Sequence, residues 1–217
     1  MSVNNKLLIA LDGPAASGKG TLARKLAAHF NLALLDTGAL YRAVGWNVLQ
    51  MGGDPENETD AIKAIEKLKN TDLSNPELRG ESIGAAASKV AAMPEVRRTL
   101  VDFQRSFAHN PPADKDGTIL DGRDIGTVIC PEADIKIFIT ADVETRAKRR
   151  FLEEFDENGT EQEYQKILTE LQTRDERDMN RASSPLKQAE NAHLIDTTYS
   201  DIEAVFEAAV SFVSSKT

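Results

Sequence analysis

Leu7-Leu8-Ile9-Ala10-Leu11-Asp12-Gly13-Pro14-Ala15-Ala16-Ser17-Gly18-Lys19-Gly20-Thr21 runs from a short apolar segment through an acid into a glycine-bearing loop. Thr21-Leu22-Ala23-Arg24-Lys25-Leu26 continues in a helical pattern. Strand, Gly-rich loop and helix in that order form the context of a phosphate-binding loop, or P-loop. Backbone N–H groups of the loop and the positive end of the helix would cradle phosphate oxygens, and Lys19 would add a mobile positive charge at the outer phosphates. Contacts to a nucleotide's phosphates are therefore expected from Gly13, Pro14, Ala15, Ala16, Ser17, Gly18, Lys19, Gly20 and Thr21. The strict pattern places Ser or Thr directly after the lysine, where this chain has Gly20, with Thr21 one step later. The customary hydroxyl ligand for Mg²⁺ is thus displaced. No direct protein ligand is expected, and the ion would be held through phosphates and water.

Against 35 acidic residues stand 26 basic ones, a net charge of -9. Nothing in that balance suggests a surface for nucleic acid or an anionic membrane. A polyphosphate substrate would need arginines gathered locally against an unfavourable overall field. The single cysteine, Cys130, excludes an intrachain disulfide and offers no metal-ligand spacing, as expected in a reducing compartment. Met1 to Lys6 are polar, and the longest apolar runs are strand-sized, so neither a signal peptide nor a membrane span is expected. The expectation is a cytoplasmic monomer acting on small molecules. Its 217 residues suffice for one domain with small insertions.

Leu7–Leu11, Leu32–Leu35, Thr118–Leu120, Ile135–Ile139 and His193–Ile195 read as strands, each continuously apolar as in strands covered on both faces. Helical patterns separate them. The expected fold is α/β, a three-layer P-loop NTPase architecture around a central five-stranded parallel sheet. Ligands in such folds lie beyond the carboxyl ends of the strands. Asp12, Asp36, Asp121 and Asp196 stand at those ends. Residues 51–110, poor in bulky apolar side chains, read as a small insert able to move relative to the core. A polar, glycine-containing stretch suggests a lid at about 150–165. The strand before Asp121 has the character of a Walker B strand, whose acid orients Mg²⁺ directly or through water. In a helix Arg174, Asp178 and Arg181 fall on one stripe.

Several stretches resemble bacterial cytidylate kinases, within the nucleoside monophosphate kinases that the Gly-Lys-Gly-Thr ending suggests. They are Leu11 through Thr21, Leu35-Asp36-Thr37-Gly38-Ala39-Leu40-Tyr41-Arg42, Ala87-Ser88-Lys89-Val90-Ala91, Asp121-Gly122-Arg123-Asp124-Ile125-Gly126-Thr127, and Arg174-Asp175 through Arg181. The resemblance covers nearly the whole chain and implies that ATP with Mg²⁺ phosphorylates CMP and dCMP. By position it implies cytosine contacts at Ser88, Arg97 and Asp124, and a nearby contact at Thr37. Arg42 and Arg123 would hold the CMP phosphate, with Asp121 beside them. Arg174 and Asp178 would meet the ribose, and Arg181 the base side. Arg149 and Arg150 would be lid arginines near ATP, catalytic together with Lys19 and Arg123. Many bacterial members carry a longer insert between Lys69 and Leu78, which this chain lacks.

The chemistry fits these residue types. Phosphoryl transfer needs in-line positioning and charge stabilisation more than a protein base. Arginine forks grip phosphate bidentately. A carboxylate can accept from the cytosine amino group, whereas uracil places an acceptor there. The alternatives are a kinase for UMP or AMP, and a P-loop binding or switch protein without transferase activity. Gly20 and the lack of an Asn-Lys-x-Asp motif argue against the switch class.

Overall fold

The computed structural model describes residues 6–156 and 158–217. Met1 to Asn5, most of the polar start, and Glu157 in the expected lid lie outside the described residues. The elements in chain order are β1 (Leu7–Asp12), α1 (Lys19–His29), β2 (Leu32–Asp36), α2 (Thr37–Gln50), α3 (Glu58–Ile65), α4 (Glu81–Val90) and α5 (Pro94–His109). There follow β3 (Gly117–Gly122), β4 (Ile135–Thr140), α6 (Val143–Phe155), α7 (Glu161–Asn180), β5 (His193–Asp196) and α8 (Ile202–Ser214). The five expected strands are present, most of them one or two residues longer than their apolar cores.

The strands form one parallel sheet in the order β2-β3-β1-β4-β5. Side chains alternate between the faces of a strand, so each face has its own core. Ile9, Leu11, Ile119, Ile137 and Ile139 pack against Leu22 and Leu26 of α1 and Val205, Ala209 and Val213 of α8. Leu8, Ala10, Leu35 and Leu120 meet Leu40 of α2, Ala108 of α5 and the turn residues Ile125 and Ile129. Three layers result. The register sets Leu11 opposite Asp121, Asp12 opposite Gly122, and Asp36 opposite Asp121, which gathers these three acids near one level, while Asp196 pairs with Thr140, two residues beyond the β4 partner of Asp12.

Residues 51–110 are mainly helical and build their own apolar cluster on α2. Tyr41, Val44 and Val48 meet Ala61 and Ala64 of α3, Ala87 and Val90 of α4, and Val96 and Leu100 of α5. The scarcity of bulky side chains is what allows close approach. A Cβ on Gly45 would come within 2.9 Å of the Ala87 nitrogen and 3.0 Å of the Ala86 Cβ, so α2 and α4 cross with no space between them. Pro94 opens α5, where its missing N–H costs nothing. The far end of α5 leaves this cluster for the sheet, and Arg105 donates to the Ile129 and Val128 carbonyls at 3.0 Å each. Most of the expected lid is helix: α6 continues to Phe155, and α7 starts at a capping box of Thr160 and Glu163.

Candidate active site

The loop after β1 owes its shape to residues of positive φ. Gly13 has φ 150°, Ala16 56° and Gly18 87°. A Cβ on Gly13 would lie 2.0 Å from the Ile139 carbonyl oxygen, so only glycine fits against β4. Gly18 delivers the chain into α1, whose first-turn N–H groups have no helical partner. The buried Lys19 ammonium donates to the Pro14 carbonyl at 2.8 Å and stands 4.0 Å from Asp121 Oδ1. Burial, then Arg123, lowers the Lys19 pKa to about 7, while Asp121 works in the opposite direction. Burial pushes the Asp121 carboxyl up despite Lys19. A Cβ on Gly20 would lie 3.6 Å from Asp121 Oδ2, so the position of the missing hydroxyl faces this acid.

Beside the P-loop opens a cavity of about 230 Å³. Thr37 and Arg42 of α2, Ser88 of α4 and Arg97 of α5 line one side of it. Asp121, Arg123 and Asp124 after β3, with Arg174, Asp178 and Arg181 around the end of α7, line the other. All ten residues that the resemblance assigned to the acceptor therefore border one space, though they are spread in sequence from Thr37 to Arg181. The Asp36 side chain caps α2 by accepting from the Ala39 N–H at 3.0 Å and pairs with Arg42 at 2.7 Å. Thr37 is buried and donates to the Asp121 carbonyl at 2.7 Å. Asp124 pairs with Arg97 and lies 3.6 Å from Arg181. Arg123 Nε approaches Asp178 at 3.3 Å, and Arg174 Nε at 4.0 Å. Burial and then Arg123 lower the Arg174 guanidinium to about 10.

Buried polar groups normally find partners. Among the described residues, Ser88 Oγ, Arg42 Nε, Arg97 Nε, Arg174 Nε, Arg181 Nη2 and the Tyr41 hydroxyl have no hydrogen-bond partner. These six belong to side chains lining this one cavity, whereas the other two such atoms, Thr127 Oγ1 and Asp175 Oδ1, lie outside it. Their concentration marks a place built for a polar ligand. A wider cleft of about 730 Å³ continues from it along the P-loop, α4 and α7, bordered by Arg24, Arg42, Arg79, Arg150, Arg174 and Arg177.

Arg149 and Arg150 part company. Arg150 borders both clefts and pairs with Glu154. Arg149 donates to the Thr197 hydroxyl at 2.9 Å and its carbonyl at 2.5 Å. It lines a separate cavity of about 270 Å³ with Ser17, Gly18, Thr21 and Ile202. The supporting contacts of three residues are not legible in the sequence. Arg146, buried in α6, donates to the Ala141 and Ala15 carbonyls at 3.0 and 3.1 Å and to Asp175 of α7 at 2.5 Å, fastening both helices to the P-loop. Tyr41 lies under the Arg97 guanidinium, 5.5 Å from ring centre to carbon. Asp12 accepts from the Ile125 and Gly126 N–H groups at 2.8 Å each. Burial pushes its carboxyl up to about 7, while those two amides pull it down. The remaining polar candidates are packing groups: Cys130 is buried in the sheet core, and His193 stacks on Phe212.

A parallel sheet with a P-loop at its central strand, opening onto a second cavity of arginines and acids, defines a nucleoside monophosphate kinase. The family model described as Cytidylate kinase matches residues 9–215, and the chain belongs to that family. It is 53% identical over 209 residues to a cytidylate kinase of Bartonella bacilliformis, covering 96% of this chain and 95% of the relative. A cytidylate kinase of Methylocella silvestris is also 53% identical, with 96% and 94% covered. One from Rhodopseudomonas palustris is 50% identical, with 95% and 96% covered. These relatives are about as long as this chain, so the short segment between Lys69 and Leu78 is not peculiar to it. A solved structure of an uncharacterized protein from Eubacterium ventriosum shares the fold at a TM-score of 0.55 and 15% identity, covering 96% of this chain and 99% of that one.

Proposed function

We propose that this protein transfers the terminal phosphoryl group of ATP to CMP and dCMP, in line and without a covalent enzyme intermediate. The observation that carries the reading is the set of unpartnered buried donors facing one cavity that adjoins Lys19 of the P-loop. The donor phosphates rest on the loop from Gly13 to Thr21, and their charge offsets the cost of protonating the buried Lys19. Arg42 and Arg123 grip the acceptor phosphate, whose oxygen is already an anionic nucleophile, so no general base is required. Asp124 accepts from the cytosine amino group while Ser88 and Arg97 donate to the ring acceptors. A carboxylate has enough lone pairs to keep its arginine partners as well. Arg174 and Asp178 meet the ribose, and Arg181 supports the base side.

Arg150, which borders both clefts, stabilises the transferring group. Arg149 acts on the outer side of the P-loop, where its cavity suits the donor nucleoside. Residues 51–110 act as the acceptor-binding insert, and 150–165 close over the reactants to keep out water. Mg²⁺ suits this site, because Asp121 supplies a hard carboxylate oxygen beside the hydroxyl-free Gly20. The ion would be held near Asp121 through phosphates and water, where it neutralises charge on the donor's outer phosphates. The protein would work as a monomer in the cytoplasm. Coupled assays with CMP, dCMP, UMP and AMP test the proposal. CMP and dCMP are expected to dominate; a preference for UMP or AMP would replace it with another monophosphate kinase.

A further inference from the structure

Asp124 begins a tight π-helical turn, Ile125–Ile129, at the position where an aspartate ordinarily caps its own helix. Elsewhere in this chain it does so. Asp36 accepts from the Ala39 N–H, Asp142 from Thr145 and Asp201 from Ala204. Asp124 makes no such bond. Its carboxylate turns instead to Arg97 and Arg181. The first N–H groups of the turn would then be buried orphans, a costly arrangement. Asp12 removes that cost from the neighbouring strand. Its two oxygens accept from Ile125 and Gly126, 113 and 114 positions away, and both bonds are buried.

We infer that Asp12 is a positioning residue for acceptor choice: by capping the turn after Asp124 from β1, it frees the Asp124 carboxylate to face the acceptor base. The inference rests on the acceptor reading above. Asp12 also immediately precedes Gly13, so one strand end starts the donor loop and fixes the acceptor-reading turn. It lines neither the acceptor cavity nor the wider cleft. Its effect passes through the backbone at Ile125 and Gly126 to the orientation of Asp124 and Arg123.

The test is Asp12→Asn, which keeps the size but turns an amide N–H against one of the two backbone donors. Its kcat/KM ratio for CMP over UMP is expected to narrow about tenfold, mainly through the KM for CMP, while the KM for ATP stays within about twofold. In an Asp124→Asn background the same change should narrow the ratio by less than about twofold, because the two residues act in series. A folded Asp12→Asn protein with full CMP preference would overturn the inference. So would equal losses in both backgrounds, or matching rises in KM for ATP and CMP. If Asp12→Asn does not fold, hydrogen exchange in the wild-type protein decides. The Ile125 and Gly126 amides are expected to exchange at least about a hundredfold more slowly than exposed loop amides, and exchange at the loop rate would overturn the capping role. If the wild-type enzyme does not act on CMP, it is the acceptor reading that fails instead.

Discussion

On the proposed assignment, the two halves of the reaction site are built on opposite plans. The donor half is one unbroken stretch, Gly13 to Thr21, and most of what it offers is backbone: a loop of positive-φ residues followed by the open end of α1. The acceptor half is assembled from side chains of α2, α4, α5, α7 and the segment after β3. Backbone N–H groups recognise phosphate whatever nucleoside carries it, so a contiguous loop suffices. Distinguishing one base from another takes side chains converging from several directions, and a fold is required to bring them together.

This contrast can be broken or sharpened by experiment. The largest effect is expected at Lys19, the charged side chain of the donor loop. Lys19→Ala should lower turnover about a thousandfold with the fold retained, as read by steady-state kinetics and circular dichroism. Near-normal turnover would mean that the loop backbone alone carries the donor half. On the acceptor side, Asp124→Asn should erode the preference for CMP over UMP by about tenfold or more. Because Arg97 and Arg181 lose a buried charge partner, it should also cost about 3 kcal/mol of stability in denaturant unfolding. Equal loss with both substrates would remove Asp124 from base selection.

Smaller still, replacing CMP by dCMP should reduce kcat/KM about fivefold if Arg174 and Asp178 meet the 2′-hydroxyl. Identical kinetics would exclude them from that role. The smallest signal is a proton. Burial pushes the Lys19 ammonium down to about 7 in the free enzyme, which favours its neutral form as pH rises to 8, and bound phosphates favour the charged form. ATP binding at pH 8 should therefore take up a proton, seen by calorimetry in buffers of different ionisation enthalpy. The uptake should fade toward pH 6 and be absent in Lys19→Ala. Buffer-independent heats at pH 8 would show that Lys19 stays charged in the empty site.

The same contrast explains what the sequence made legible. The five strands, the P-loop and the acids at strand ends follow from local pattern, because hydrophobic runs and glycine positions act over a few residues. The acceptor set was reached through family resemblance; spacing in the chain does not place Ser88 beside Asp124. Arg149 and Arg150 show where adjacency misleads. Neighbours in a helix point about 100° apart, so one faces the arginine-lined cleft and the other Thr197. Asp12 and Arg146 act through bonds of long sequence separation to backbone groups, which no local pattern announces.

The crossing at Gly45 has a consequence for what counts as an acceptor. It locks α2, which carries Thr37 and Arg42, to α4, which carries Ser88. On the assignment made above, the phosphate grip and one of the base grips are then the jaws of a caliper whose span is set by two helices in contact. Such a device measures length. Cytidine would reach one jaw, and a diphosphate would overrun the other. On that assignment, the absence of a single methyl group at Gly45 would help to keep the enzyme on monophosphates.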